Sequence, residues 1–91
     1  MWYIVDFKKR SENKLYRFVY SKNAIKFLKK QTPEVRKRII DAIEKLPLGD
    51  IKKMQGRSGY RLRVGDYRVL FDQNGNIIDI IDIGNRGQIY K

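Results

Sequence analysis

The chain has 91 residues, room for one small domain and not for two. It carries 21 Lys and Arg against 10 Asp and Glu, a net charge of +11, yet 42% of its residues are hydrophobic. Such a chain can bury a core, which excludes a disordered polyelectrolyte. Cys and His are both absent, which excludes disulfides, thiolate and imidazole metal sites, and every catalytic triad built on imidazole.

The charge exceeds what solubility requires and points to an anionic partner: nucleic acid ahead of an acidic protein or a membrane surface. Solubility or heat adaptation is the plainer alternative. No run approaches the roughly 20 apolar residues of a membrane span. Met1 to Asp6 lacks the basic lead-in of a signal peptide, and the missing cysteines fit a reducing cytoplasm. The charge is uneven: residues 1–38 sum to +9, 39–51 to −2, 52–68 to +5 and 69–91 to −1.

In chain order, residues 2–7 and 15–20 are β-type runs flanking a polar loop from Lys8 to Lys14. Ser21 is a helix N-cap for a helix over 22–31, with Ala24, Phe27 and Leu28 on one face. Thr32-Pro33-Glu34 restarts a second helix: Thr as cap, Pro at the first helical position, Glu in the first turn. Val35, Ile39, Ala42, Ile43 and Leu46 follow at helical spacing until Pro47 and Gly49 end it. After Pro47 the period changes to two. Gly65-Asp66 is a two-residue hairpin signal, Asn74-Gly75 is another, and residues 77–83 form a final isoleucine-rich strand. The expected fold is α+β: an antiparallel sheet of about four strands with an N-terminal helical hairpin packed on one face. Residues 1–91 form one domain, with 1–14 an extension or an added edge strand.

A turn at Gly65-Asp66 pairs Val64 with Tyr67, Leu62 with Val69 and Tyr60 with Phe71, and all six face the core. The opposite face then sets Arg63 against Arg68, and Arg61 against Leu70. Two arginines directly opposed repel, and nothing acidic stands in register. An anion seated there relieves the repulsion, and the planar guanidinium suits phosphate. The alternative is that Asp66, Asp79 or a helix carboxylate folds over and neutralises them. Lys52 and Lys53, in a loop before this hairpin, extend the basic surface. Arg57 lies in a glycine-flanked turn, Gly56-Arg57-Ser58-Gly59, without phosphate-loop spacing. In the tail Gly84-Asn85-Arg86-Gly87, Arg86 can reach the basic face, and Tyr90 can stack on a base.

The string from Gly59 to Phe71, the isoleucine-rich strand, and Gly84-Asn85-Arg86-Gly87-Gln88-Ile89-Tyr90 resemble the RelE/ParE toxin superfamily over about residues 15–91. The helical pair with Phe27-Leu28-Lys29-Lys30 and the Leu46-Pro47 step agree. The glycine-flanked tail most resembles archaeal RelE-like members. The resemblance implies the toxin of a type II toxin–antitoxin system: a cytoplasmic, metal-independent, cofactor-free endoribonuclease (mRNA interferase) that cleaves mRNA in the ribosomal A site and is silenced by a cognate antitoxin protein. The 2′-hydroxyl would attack the adjacent phosphate. By the same resemblance Arg61 and Arg63 take the functional positions of the first hairpin strand. Arg68 steadies the phosphate, Arg86 is the leaving-group acid, and Tyr90 orients or stacks on the substrate. From the charge pattern rather than the resemblance, Lys52, Lys53 and Arg57 are expected RNA contacts. RelE-type members often carry lysines where Arg61 and Arg63 stand, and arginine is a poor general base. Two other readings stay open: a ParE-like poison of DNA gyrase, and a basic RNA-binding module without catalysis.

Overall fold

In the computed structural model, which describes residues 2–9, 15–46, 48–56 and 58–85, the chain runs β1 (Trp2–Lys9), β2 (Leu15–Ser21), α1 (Lys22–Lys29), α2 (Pro33–Glu44), β3 (Ile51–Lys53), β4 (Tyr60–Val64), β5 (Tyr67–Asn74) and β6 (Ile77–Asn85). Both helix starts are those the sequence signals. Ser21 has extended backbone and its Oγ accepts from the Ala24 N–H at 3.1 Å, a cap contributing about 1 kcal/mol. The same hydroxyl donates to the Ile81 carbonyl at 2.6 Å, tying the start of α1 to β6. Thr32 caps α2 through the Val35 N–H at 3.3 Å, with Pro33 in the first turn.

The first helix ends at Lys29, two residues before the expected limit, where the Lys30 N–H turns back onto the Phe27 carbonyl at 3.2 Å and the Gln31 N–H onto that of Leu28 at 3.1 Å. Arg36 then spans the joint: its Nε donates to the Leu28 carbonyl at 3.0 Å and its Nη2 to that of Gln31 at 2.9 Å. A side chain that sequence periodicity assigns to the polar face thus satisfies carbonyls left over at the end of α1.

The strands form one six-stranded sheet in the order β1-β2-β6-β5-β4-β3. The α+β class holds, but two expectations change. First, the strands number six rather than about four. Trp2–Lys9 pairs along β2, with Lys8 and Lys9 inside that ladder instead of a loop, and Ile51–Lys53 pairs with β4. Second, the sheet is not wholly antiparallel, because β2 and β6 run parallel. From β2 the helices carry the chain over one face to the far edge. There β3 begins a meander that returns strand by strand until β6 lies beside β2. A pairing between residues some sixty positions apart leaves no local trace in sequence.

The β4–β5 hairpin has the register the turn dictates: Tyr60 opposite Phe71, Arg61 opposite Leu70, Leu62 opposite Val69, Arg63 opposite Arg68 and Val64 opposite Tyr67. Gly65 supplies the positive φ, +59°, that the tight turn needs. The next turn falls on Gly75-Asn76, one position later than expected, since Asn74 still pairs with Ile77. The register then shifts where Leu70 faces Asp82 and Phe71 faces Ile80. That leaves Ile81 as the extra residue of a bulge. The run Ile77-Ile78-Asp79-Ile80-Ile81-Asp82-Ile83 requires it. Strict alternation from Ile78 and Ile80 would bury Asp82, whereas the bulge buries Ile83 and keeps both aspartates on the outer face.

Core and outer face follow from this register. Phe18, Tyr20, Ala24, Ile39, Ile43, Leu46, Leu62, Val69, Phe71, Ile78 and Ile80 are at most 2% exposed and join both helices to one face of the sheet. Phe27 meets Tyr67 edge-on at 6.0 Å, and Tyr60 stacks on Phe71 at 5.6 Å. The other face carries Lys52, Arg61, Arg63, Arg68, Asp72, Asp79 and Asp82, and no described helix packs on it. No helix among the described residues is long and apolar enough to cross a membrane.

Candidate functional site

The arginines meet on that outer face. Arg63 and Arg68 are directly opposed across β4 and β5, and Lys52 of β3 lies opposite Arg61. Together with Asp50 they line one pocket of about 210 Å³. Four cationic side chains from three adjacent strands therefore converge, with a single carboxylate among them. Arg68 is the most enclosed, at 9% exposure. Its partner on the other side is Gly84 of β6, a position without a side chain. Arg63 is exposed, and Arg61 is half-buried.

Of the residues singled out from sequence, Arg61, Arg63, Arg68 and Lys52 are brought together. Lys53 is not among the pocket residues. It stands opposite Tyr60, and one step along a strand turns a side chain to the other face. Arg57, Arg86 and Tyr90 lie outside the described residues. Neither Asp66 nor Asp79 lines the pocket, and the helix carboxylate of Asp41 pairs with Lys37 at 3.0 Å.

The acid that does line it, Asp50, was missed by sequence reasoning. Two features hold its backbone. The Arg63 N–H donates to the Asp50 carbonyl at 3.0 Å. Beside it Gly49 has φ +130° and lies so close to β4 that a Cβ would stand 2.9 Å from Leu62 Cδ1. The available signal was that glycine: a Gly-Asp pair between a helix stop and the first lysines marks a chain pressed against a strand.

Asp50 and Arg63 also belong to a second, larger groove of about 400 Å³ between α2 and β4, floored by Ala42, Leu62 and Val64. Leu48 on its rim is 63% exposed. At the other end of the outer face Asp72 and Asp79 are directly opposed. Burial, and then the charge of Asp72, push the Asp79 carboxyl above the ordinary value of 3.8. Among the described residues no group of three or more metal-binding side chains gathers.

Chemically, the pocket offers a dense set of donors that remain charged at every physiological pH. It suits an oxyanion whose charge grows during reaction, such as the pentacoordinate phosphorus of a phosphoryl transfer. A surface used only for solubility has no reason to oppose two arginines.

A sheet with such a helical pair is shared with solved archaeal toxin chains. The sequence matches the family of ParE toxins of type II toxin–antitoxin systems (parDE) over residues 18–90. It is 35% identical over 81 residues to Toxin RelE3 of Methanocaldococcus jannaschii, covering 79% of this chain and 92% of that protein. The toxin–antitoxin complex RelB–RelE of Methanococcus jannaschii superposes with a TM-score of 0.65 at 37% identity, over 78% of this chain and 93% of that one. The archaeal RelE–RelB complex of Pyrococcus horikoshii superposes with 0.66 at 29% identity, over 80% and 97%. The chain belongs to the RelE/ParE family and is a toxin of the type II toxin–antitoxin class. The strand β1 precedes the stretch that matches the family.

Proposed function

We propose that this toxin is an endoribonuclease that cleaves mRNA in the ribosomal A site by attack of a ribose 2′-hydroxyl on the adjacent phosphate. The observation that carries this reading is the pocket of Lys52, Arg61, Arg63 and Arg68 around the opposed Arg63–Arg68 pair. Arg68, enclosed by the sheet, holds a non-bridging phosphate oxygen. Arg61 and Arg63 orient the ribose and neutralise the charge that builds on the phosphorane. Arg86 and Tyr90, at the end of the chain, protonate the leaving oxygen and stack on the substrate. The reaction uses no metal, since positioning and fixed positive charge supply the stabilisation. A cognate antitoxin protein holds the toxin silent, as the complexes of the two archaeal relatives indicate for those proteins. With a toxin of net charge +11, the antitoxin segment covering the pocket is acidic. The toxin acts in the cytoplasm, where its ribosomal target is.

The test is inducible expression in a bacterial host, with ribosome-associated mRNA ends mapped within minutes. Cuts clustered at A-site codons are the expected result. The match to ParE toxins supports a second reading, poisoning of DNA gyrase. Under that reading expression induces a DNA-damage response while translation and mRNA stay intact.

A further inference from the structure

Attack by a 2′-hydroxyl requires a group that takes its proton, and the four cations of the pocket are unsuited to it. Arginine stays protonated above pH 12 or so, lysine carries its proton at neutral pH, and the chain has no histidine. Among the described residues that line the pocket, Asp50 is the one carboxylate. We propose that Asp50 is the general base of this toxin, an inference that rests on the RNA-cleavage reading above.

Asp50 stands where the cationic pocket meets the groove beside α2, since Asp50 and Arg63 line both. Lys52, Arg61 and Arg68 complete the lining of the pocket, and Arg38, Asp41 and Lys45 are the other charged residues of the groove. The Asp50 backbone is clamped by the Arg63 N–H and by the close packing of Gly49 on Leu62. Asp50, the residue before β3, is thus tied by its backbone to β4, the strand that carries Arg61 and Arg63, a preorganisation a proton transfer needs.

The step balances. The O2′–H bond breaks and its proton passes to a carboxylate oxygen of Asp50, while the O2′ electron pair forms the bond to phosphorus. The P–O5′ bond breaks with its electron pair on O5′, which takes a proton from Arg86, the leaving-group acid of the proposed function, and Arg86 is then reprotonated from solvent. Asp50 then returns its proton to solvent. The products carry a 2′,3′-cyclic phosphate and a 5′-hydroxyl.

The experiment compares wild type, Asp50→Asn, Asp50→Glu and Asp41→Asn in single-turnover cleavage on ribosomes programmed with a defined mRNA. Affinity is read in parallel with the same mRNA carrying a 2′-deoxy sugar at the cut site. Asp50→Asn is expected to slow cleavage about 10²- to 10⁴-fold, the usual worth of a general base, and to bind the uncleavable mRNA equally well or more tightly. It should also lose the fall in rate that wild type shows towards acid pH. Asp50→Glu should recover part of the rate, which separates lost chemistry from lost folding, and Asp41→Asn should cleave like wild type. Cleavage by Asp50→Asn at the wild-type rate, or a loss matched by weaker binding, overturns the assignment. A wild-type chain that binds ribosomes and never cuts overturns the parent reading, and this one with it, before any variant is made.

Discussion

The outer face of the sheet sets like charge against like charge twice, Arg63 against Arg68 at one end and Asp72 against Asp79 at the other. The chemistry available to the two pairs differs. The carboxylates relieve their repulsion internally: Asp79 takes up a proton more readily than an ordinary aspartate. The arginines have no such recourse, because a guanidinium does not give up its proton in a protein. Under the proposed function an RNA phosphate brings the offsetting negative charge. The acidic pair is thus a tolerated defect of the sheet, while the basic pair lies in the pocket that Asp50 also lines.

Removing the basic pair should have the largest effect. Arg63→Ala with Arg68→Ala is expected to abolish growth arrest on induction and to reduce cleavage by at least 10³-fold, since each donor aimed at a developing oxyanion contributes about 3 kcal/mol. Ribosome-associated mRNA ends measure the cleavage, and circular dichroism confirms that the variant folds. Unchanged toxicity would remove the pocket from the mechanism.

An intermediate effect comes from supplying the missing charge. Inorganic phosphate should raise the melting temperature of the wild type, by about 2.7 kcal/mol of stability at a hundredfold excess over its Kd. Arg63→Ala should blunt the increase and Asp72→Asn should leave it intact. Scanning calorimetry across a phosphate series, with chloride at matched ionic strength, separates binding from screening.

The smallest effect tests the acidic pair. Because the folded-state pKa of Asp79 is raised, the folded chain holds more protons than the unfolded one between pH 3.8 and that raised value. The contribution of Asp79 is therefore fully present below pH 3.8 and is lost as pH rises through the folded pKa. Asp79→Asn should stabilise the protein at pH 7 by up to about 1 kcal/mol, and the gain should vanish in acid. Urea titrations at pH 7 and pH 3.5 measure the difference. Equal gains at both would show that the charge of Asp79 is not what strains this end.

What the sequence made legible follows the range of the interactions involved. The β4–β5 hairpin is local: a two-residue glycine turn fixes every pair from Tyr60–Phe71 to Val64–Tyr67, so the opposition of Arg63 and Arg68 can be derived before any coordinates. The helix starts are local too, set by Ser21 and by Thr32-Pro33. Non-local features escaped. The parallel pairing of β2 with β6 depends on the whole meander returning to the first part of the chain. Lys52 and Lys53 read as a loop because a three-residue strand has too few positions to show alternation. Asp50 could not be placed because its position depends on the chain pressing Gly49 onto Leu62. One non-local feature did leave a mark: Ile78, Ile80 and Ile83, spaced two and then three apart, with Asp79 and Asp82 three apart between them, signal the bulge at Ile81.

The most direct test of the account is a reconstituted one. Ribosomes carrying a single mRNA with a defined A-site codon are incubated with the purified toxin, or with its Arg63→Ala variant, in the absence of divalent-dependent nucleases. The account predicts one cut within the A-site codon, a 2′,3′-cyclic phosphate on the upstream fragment, and at least a hundredfold slower cut with the variant. Intact mRNA under a toxin that still arrests growth would contradict it.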